Sequence, residues 1–289
     1  MREKSIDWNP NKTTQGLLGD IDSVLSQYKA LGIRLTLRQL YYQLVTKNII
    51  ANRKSEYAKL SSILTDARMS GRIDWEAIED RVRRPEKHAE WSSIADLVNS
   101  AVYSYRSPRW EHQQNYVELW CEKDAIHSVI QPITDDLHVT LMVNRGYSSA
   151  SAMYDSSKRF IEASDSGKEC FLLYLGDFDP SGEDMVRDIG SRLNIFGATT
   201  HVEKIALTSA QVAQYNPPPN PVKITDPRAG AFIAKYGSSS YEVDALNPQV
   251  LMKLVRTPIE DLMDMDAYNA CRTIESAGKE KLIKAAKNI

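Results

Sequence analysis

No stretch of this chain approaches the ~18 consecutive apolar residues of a bilayer-spanning helix, and its first residues show no apolar signal-peptide core. The expectation is no membrane contact and a reducing interior: cytoplasmic and nucleoid-associated, or nuclear in a eukaryote. Cysteine is scarce. Cys121, Cys170 and Cys271 stand far apart without C-x-x-C spacing, which argues against a disulfide framework and against a zinc site. Histidine is scarce as well, with five scattered residues and no pairing pattern for a histidine-based metal or catalytic site.

What is present suits a globular protein of one large or two ordinary domains: 289 residues, 42% hydrophobic and 26% charged. The net charge of −2 conceals an asymmetry. Residues 1–90 hold 16 Lys/Arg against 12 Asp/Glu, and the remainder holds 20 against 26. A basic first part beside an acidic second part fits a polyanion-binding module joined to a cation-binding one.

Carboxylates at strand ends supply the sharper signal. Phe171-Leu-Leu-Tyr-Leu175 predicts a buried strand, ending in Gly176-Asp177-Phe178-Asp179 before a helix opened by Pro180-Ser181-Gly182. Tyr116–Cys121 predicts another strand, ending at Glu122-Lys123-Asp124. Val139–Val143 and Val202–Leu207 complete the set, with helical segments between them. Strands alternating with helices imply right-handed crossovers and an α/β fold with a central parallel sheet, all strand ends on one side. Glu122, Asp177 and Asp179 would then converge where open α/β sheets bind ligands. Unit charges ~4 Å apart repel by ~1 kcal/mol in water and more near a protein, unless a cation lies between them. An all-oxygen set suits a hard cation such as Mg²⁺. Taken alone, the D-x-D has a plainer reading, a helix-capping Asp beside a turn Asp.

Nearer the start, residues 1–12 read as a loosely held arm, and Leu17–Leu31 as a helix. Thr36 and Gln39 form a capping-box signature, followed by Leu37, Leu40, Tyr41, Leu44 and Val45 in a buried helical stripe. Tyr42 lies about 100° off that stripe, four residues after Arg38. A phenol beside a guanidinium suits a phosphate; the alternative is a tyrosine at the core boundary with its hydroxyl in water. A third helix carries Tyr57, Leu60, Ile63, Leu64 and Ala67. Arg53, Lys54, Lys59 and Arg68 surround it, and Arg81, Arg83 and Arg84 follow. Three helices followed by extended basic sequence match a winged helix-turn-helix, with these cations as DNA contacts or simply a solvated face.

Two resemblances join these halves. Glu122 with Asp177-x-Asp179 is similar to the signature of the toprim domain of topoisomerases, DnaG-type primases and OLD-family nucleases. Arg38-Gln-Leu-Tyr-Tyr42 resembles the R-x-[IL]-[YF]-Y segment in the winged-helix domain of the topoisomerase VI A-type chain and its meiotic Spo-eleven relatives. Glu122-Lys123, Arg145-Gly146-Tyr147 and Asp177-x-Asp179-Pro180-x-Gly182 resemble that family's further motifs in the same order, over roughly residues 15–260, most like the reduced topoisomerase mini-A. Ser148 stands where the family often has Pro.

The resemblance implies Tyr42 as the nucleophile that joins the chain to a DNA 5′ phosphate, with Arg38 assisting. It also implies Mg²⁺ on Glu122, Asp177 and Asp179, DNA contacts that include Lys123 and Arg145, and a homodimer in which each Tyr42 faces the partner's metal site. No Walker lysine motif or GHKL-type ATPase segment is present, so ATP-driven strand passage would need a separate B-type ATPase chain. Two other classes stand beside this: a hydrolytic toprim nuclease with a structural Tyr42, and a non-catalytic DNA-binding protein. The implied layout is a winged-helix domain over 1–84, a connection over 85–113 and a toprim domain with C-terminal helices over 114–289. Glu242 and Asp244 alternate with apolar neighbours, which predicts an edge strand with its acids in solvent, the alternative being that they assist the metal site.

Overall fold

Alternate residues of the two central strands face opposite ways, and that alternation builds two cores. In a computed structural model that describes residues 2–78, 88–144, 146 and 148–286, these strands are β1 (Asn115–Cys121) and β3 (Glu169–Leu175). They pair in parallel, flanked by β2 (Thr140–Val143) and β4 (His201–Ala206) in the order β2-β1-β3-β4. Val117, Leu119, Cys121, Leu173 and Leu175 belong to one core; Trp120, Cys170, Leu172 and Tyr174 belong to the other. The expected α/β architecture with an all-parallel sheet is therefore present.

The second core is closed by α6 (Ala150–Asp165) and α7 (Pro180–Ile195) through Met153, Phe160, Met185, Ile189 and Leu193. Within it Glu118 is fully buried, and Tyr116, Trp120 and the Nε and one terminal nitrogen of Arg159 donate to its oxygens at 2.7–2.9 Å. A buried carboxylate is tolerable only with such saturation.

The first core is larger. α5 (His127–Leu137) and α10 (Pro248–Asp261) cover that face of the sheet. It continues without a break into α1 (Lys12–Lys29), α2 (Leu37–Thr46) and α3 (Lys54–Met69). Thr36 does form the capping box of α2 with Gln39. The expected one-sided stripe on α2 is instead buried all round from Gln39 to Val45. One side meets α1, and the other abuts a 3₁₀ turn at Val243–Ala245 in the distant C-terminal region. A helix buried all round belongs to an interior, not to a surface.

Among the described residues no β-hairpin wing follows α3. The segment expected to supply it, with Arg81, Arg83 and Arg84, lies outside the described residues, as does Arg145. The N-terminal arm is not loose: Ser5 donates its amide to the Met69 carbonyl at 2.7 Å, Arg2 pairs with Asp22, and Pro10 is buried.

The connection carries α4 (Ile94–Ser104), which packs on α11 (Met265–Ala286). The remaining pieces are α8 (Ser209–Tyr215), α9 (Ala229–Tyr236) and the two-residue strands β5 (Asn220–Pro221) and β6 (Ser239–Ser240). Among the described residues no helix is long and apolar enough to cross a membrane.

Arg109 and Glu275 pin the connection to α11. Glu275 is held by Arg109 at 3.1 Å, Lys279 at 2.6 Å and the Ser107 amide at 3.2 Å. Burial alone would raise its pKa, but these donors outweigh it and bring the value down to about 2. A depressed carboxylate pKa adds stability that is complete above its unfolded value near 4.3 and lost as pH falls toward 2. Glu275→Gln is therefore expected to flatten the loss of stability between pH 4.5 and 2, checked by urea unfolding at each pH. An unchanged slope would contradict the assignment.

Candidate active site

In an open parallel sheet the ligand crevice forms at the carboxyl ends of the two strands from which the chain departs in opposite directions. Here these are β1 and β3, since β2 lies outside one and β4 outside the other. Glu122 follows β1, and Asp177 follows β3. The Asp177 amide donates to Glu122 Oε2 at 3.3 Å, a backbone contact; Glu122 and Asp179 are not among the carboxylates whose oxygens cluster with Asp177. Lys204 holds the Asp177 carbonyl at 2.7 Å, and the Val243 amide donates to Asp177 Oδ1 at 2.9 Å.

Asp179 takes the capping role. It is the N-cap of α7, its Oδ1 accepting from the Gly182 amide at 2.6 Å and from Ser181 Oγ at 2.8 Å, with Pro180 in the first turn. Gly182 is required there because any Cβ would run into the carbonyl oxygen of Asp177. Gly182→Ala must therefore move the loop that aims Asp177. The expected cost is about 3 kcal/mol, the upper range for forced overpacking, read from the denaturant midpoint.

The carboxylates that converge are Asp177, Glu242 and Asp244, with one oxygen from each within 4.8 Å of the others. The expectation of an edge strand with Glu242 and Asp244 in solvent is corrected here. Their segment is the 3₁₀ turn Val243–Ala245, and Asp244 has no exposed surface. The turn is drawn in by a bridge between Phe178 and Tyr241, with amides and carbonyls exchanged at 2.8 and 2.9 Å.

Two cations pair with this cluster of three acids. Lys123 Nζ lies 2.8 Å from Asp177 Oδ2 and 3.1 Å from Asp244 Oδ1, and also contacts Glu242 Oε2. Arg38 pairs with Glu242, and its Nε lies 2.6 Å from Asp244 Oδ2. Lys123, expected at DNA, thus sits inside the acidic cluster. Burial opposes charge on both cations, yet the surrounding carboxylates win and raise both pKa values. Burial raises the pKa of Asp177, against the pull of Lys123. Burial also works against ionised Glu242, but Lys123 and Arg38 outweigh it and hold its pKa down.

Tyr42 is almost fully buried, 5% exposed, with the Arg38 guanidinium 5.8 Å from its ring centre and Tyr41 edge-on at 5.2 Å. The buried ring matches the core-boundary alternative, and Asn220 of β5 lines the same cavity as Tyr42. Burial, then Glu242 and Asp244, push this phenol up to about 12, while Arg38 and Asn220 pull the other way.

Tyr42, Arg38, Asp177, Asp179 and Glu242 line one cavity of about 860 Å³, together with Arg53, Lys54 and Lys223. No protein-family model matches the chain, and neither does any curated protein sequence. The remaining expected cations lie elsewhere: Lys59 is exposed on α3, and Arg68 stacks on Trp75 at 4.5 Å. Tyr42 lines the same cavity as Asp177, Asp179 and Glu242 of its own chain.

The donor set fits a hard divalent cation: oxygens from the buried Asp177 and Asp244 and the half-buried Glu242, with no sulfur or imidazole among them. Together the residues can hold such an ion, a phosphate and a phenol in one cavity.

Proposed function

We propose that this protein cleaves duplex DNA by transesterification, with Tyr42 as nucleophile and Mg²⁺ as its metal. The observation that carries this reading is the shared cavity: one space holds a phenol, an arginine, an acidic cluster and a rim of cations. The Tyr42 oxygen attacks phosphorus, the bond to the 3′ oxygen breaks, and the chain becomes joined to the 5′ phosphate. The phenol loses its proton and the 3′ oxygen gains one, so protons balance. Because a phosphodiester replaces a phosphodiester, religation stays open.

Arg38 favours the phenolate and binds the phosphate. Arg53, Lys54 and Lys223 hold the flanking backbone. Asp177, Glu242 and Asp244 would hold Mg²⁺, which when bound would supply charge stabilisation at the phosphate and the leaving oxygen. On this reading the sheet is a toprim core, and α1–α3 are the helices of a winged helix. Paired cuts come from a homodimer with one complete site per chain. ATP-driven strand passage falls to a separate GHKL-type ATPase.

A second reading, hydrolysis with a structural tyrosine, is favoured by one observation. Tyr42 is buried, and burial with the nearby Glu242 and Asp244 pushes its pKa up to about 12. Uniformly labelled supercoiled DNA, Mg²⁺ and a denaturing quench separate the two. Transesterification leaves label that travels with the protein and is released by protease, beside free 3′ hydroxyls. Hydrolysis leaves cut DNA with no protein-linked label.

A further inference from the structure

We propose that Lys123 is a tethered counter-ion that competes with the divalent cation, so that metal entry expels its ammonium from the cluster into the cavity. This rests on the metal reading above and concerns its regulation.

The three carboxylates that Lys123 Nζ contacts, those of Asp177, Glu242 and Asp244, are the three whose oxygens converge within 4.8 Å. Three contacts use all three donors of an ammonium. Mg²⁺ requires oxygens at about 2.0–2.1 Å, so an ion drawn to these same oxygens would overlap Nζ or be repelled by it. The two cations exclude each other.

Arg38 is placed differently. It approaches Glu242 and Asp244 from the Tyr42 side, with its guanidinium against the tyrosine ring. It can remain while Lys123 leaves. Three carboxylates against Lys123 and Arg38 leave one net negative charge. Exchanging the ammonium for a divalent ion brings the cluster to neutrality and moves one positive charge outward. Lys123 has the means to move, with a flexible four-carbon stem and an extended backbone just past β1, ahead of the 3₁₀ turn Asp124–Ile126. The freed ammonium would then face the phosphate that the cavity takes. Until the ion enters, Lys123 keeps the three acids assembled.

The test begins with the unaltered chain. Acetylation of lysines by an N-hydroxysuccinimide ester is followed residue by residue by mass spectrometry, with chelator and with saturating Mg²⁺. Lys123 is expected to react at least about fivefold faster with Mg²⁺, and the exposed Lys281 at an unchanged rate. An unchanged rate at Lys123 overturns the proposal. Independently, Mn²⁺ binding is measured by electron paramagnetic resonance on the wild type and on Lys123→Met, without DNA. Removing a competing charge at this range should tighten binding about tenfold or more. Equal or weaker binding by the variant overturns the exchange and leaves the metal site standing. Absence of Mn²⁺ binding in both chains overturns exchange and metal reading together. Neither measurement depends on whether Tyr42 forms a DNA adduct.

Discussion

Tyr42→Phe is expected to reduce protein-linked DNA ends by about 10³-fold or more, because on this reading the ester forms on Tyr42 and not on Tyr41, Tyr57 or Tyr241, which line the same cavity. The ring keeps its packing against Tyr41 and its place under Arg38, so the fold should persist. Only the hydroxyl is lost, at about 1 kcal/mol. The combination is diagnostic: near-normal unfolding temperature, intact DNA binding and no adduct. Undiminished cutting by the variant, with free ends on both strands, would establish the hydrolytic reading instead.

Asp244→Ala carries the second large effect, and it acts on stability and metal together. Asp244 has no exposed surface and pairs with both Arg38 and Lys123. Removing one partner of a buried ion pair leaves uncompensated charge and costs about 3–5 kcal/mol. Here the two orphaned cations retain Glu242 and Asp177, which places the expectation at the lower end, near 3 kcal/mol. Loss of a ligand and excess positive charge should weaken Mn²⁺ binding by about 100-fold or more. Urea denaturation and paramagnetic titration read the two effects separately. Wild-type metal affinity in the variant would remove Asp244 from the site.

The sequence made the sheet legible because its strands alternate or run apolar, and their ends are marked by turn residues. Asp177 and Glu122 could be placed for the same reason: a residue just past a parallel strand has few places to go. Arg38 and Tyr42 followed from helical spacing. Glu242 and Asp244 were hidden for a physical reason. Their partners are Lys123, 119 and 121 residues away, and Arg38, 204 residues from Glu242. Within Tyr241–Leu246 nothing neutralises either acid, so local alternation pointed to solvent. The one available hint was Asp244 set between Val243 and Ala245 with no nearby cation. The burial of Tyr42 was hidden likewise, since Asn220 and Pro221, which line the same cavity, come from a proline-rich loop remote in sequence. Asp179 shows the opposite case, where the plain capping pattern of Asp179-Pro180-Ser181-Gly182 describes what the side chain does.

Crystals soaked in Mn²⁺ and measured at the manganese absorption edge would locate the ion directly. The account predicts an anomalous peak about 2.1 Å from oxygens of Asp177 and of Glu242 or Asp244, in the cavity that Tyr42 lines. A peak confined to other carboxylates, with Lys123 still seated among these three, would contradict it.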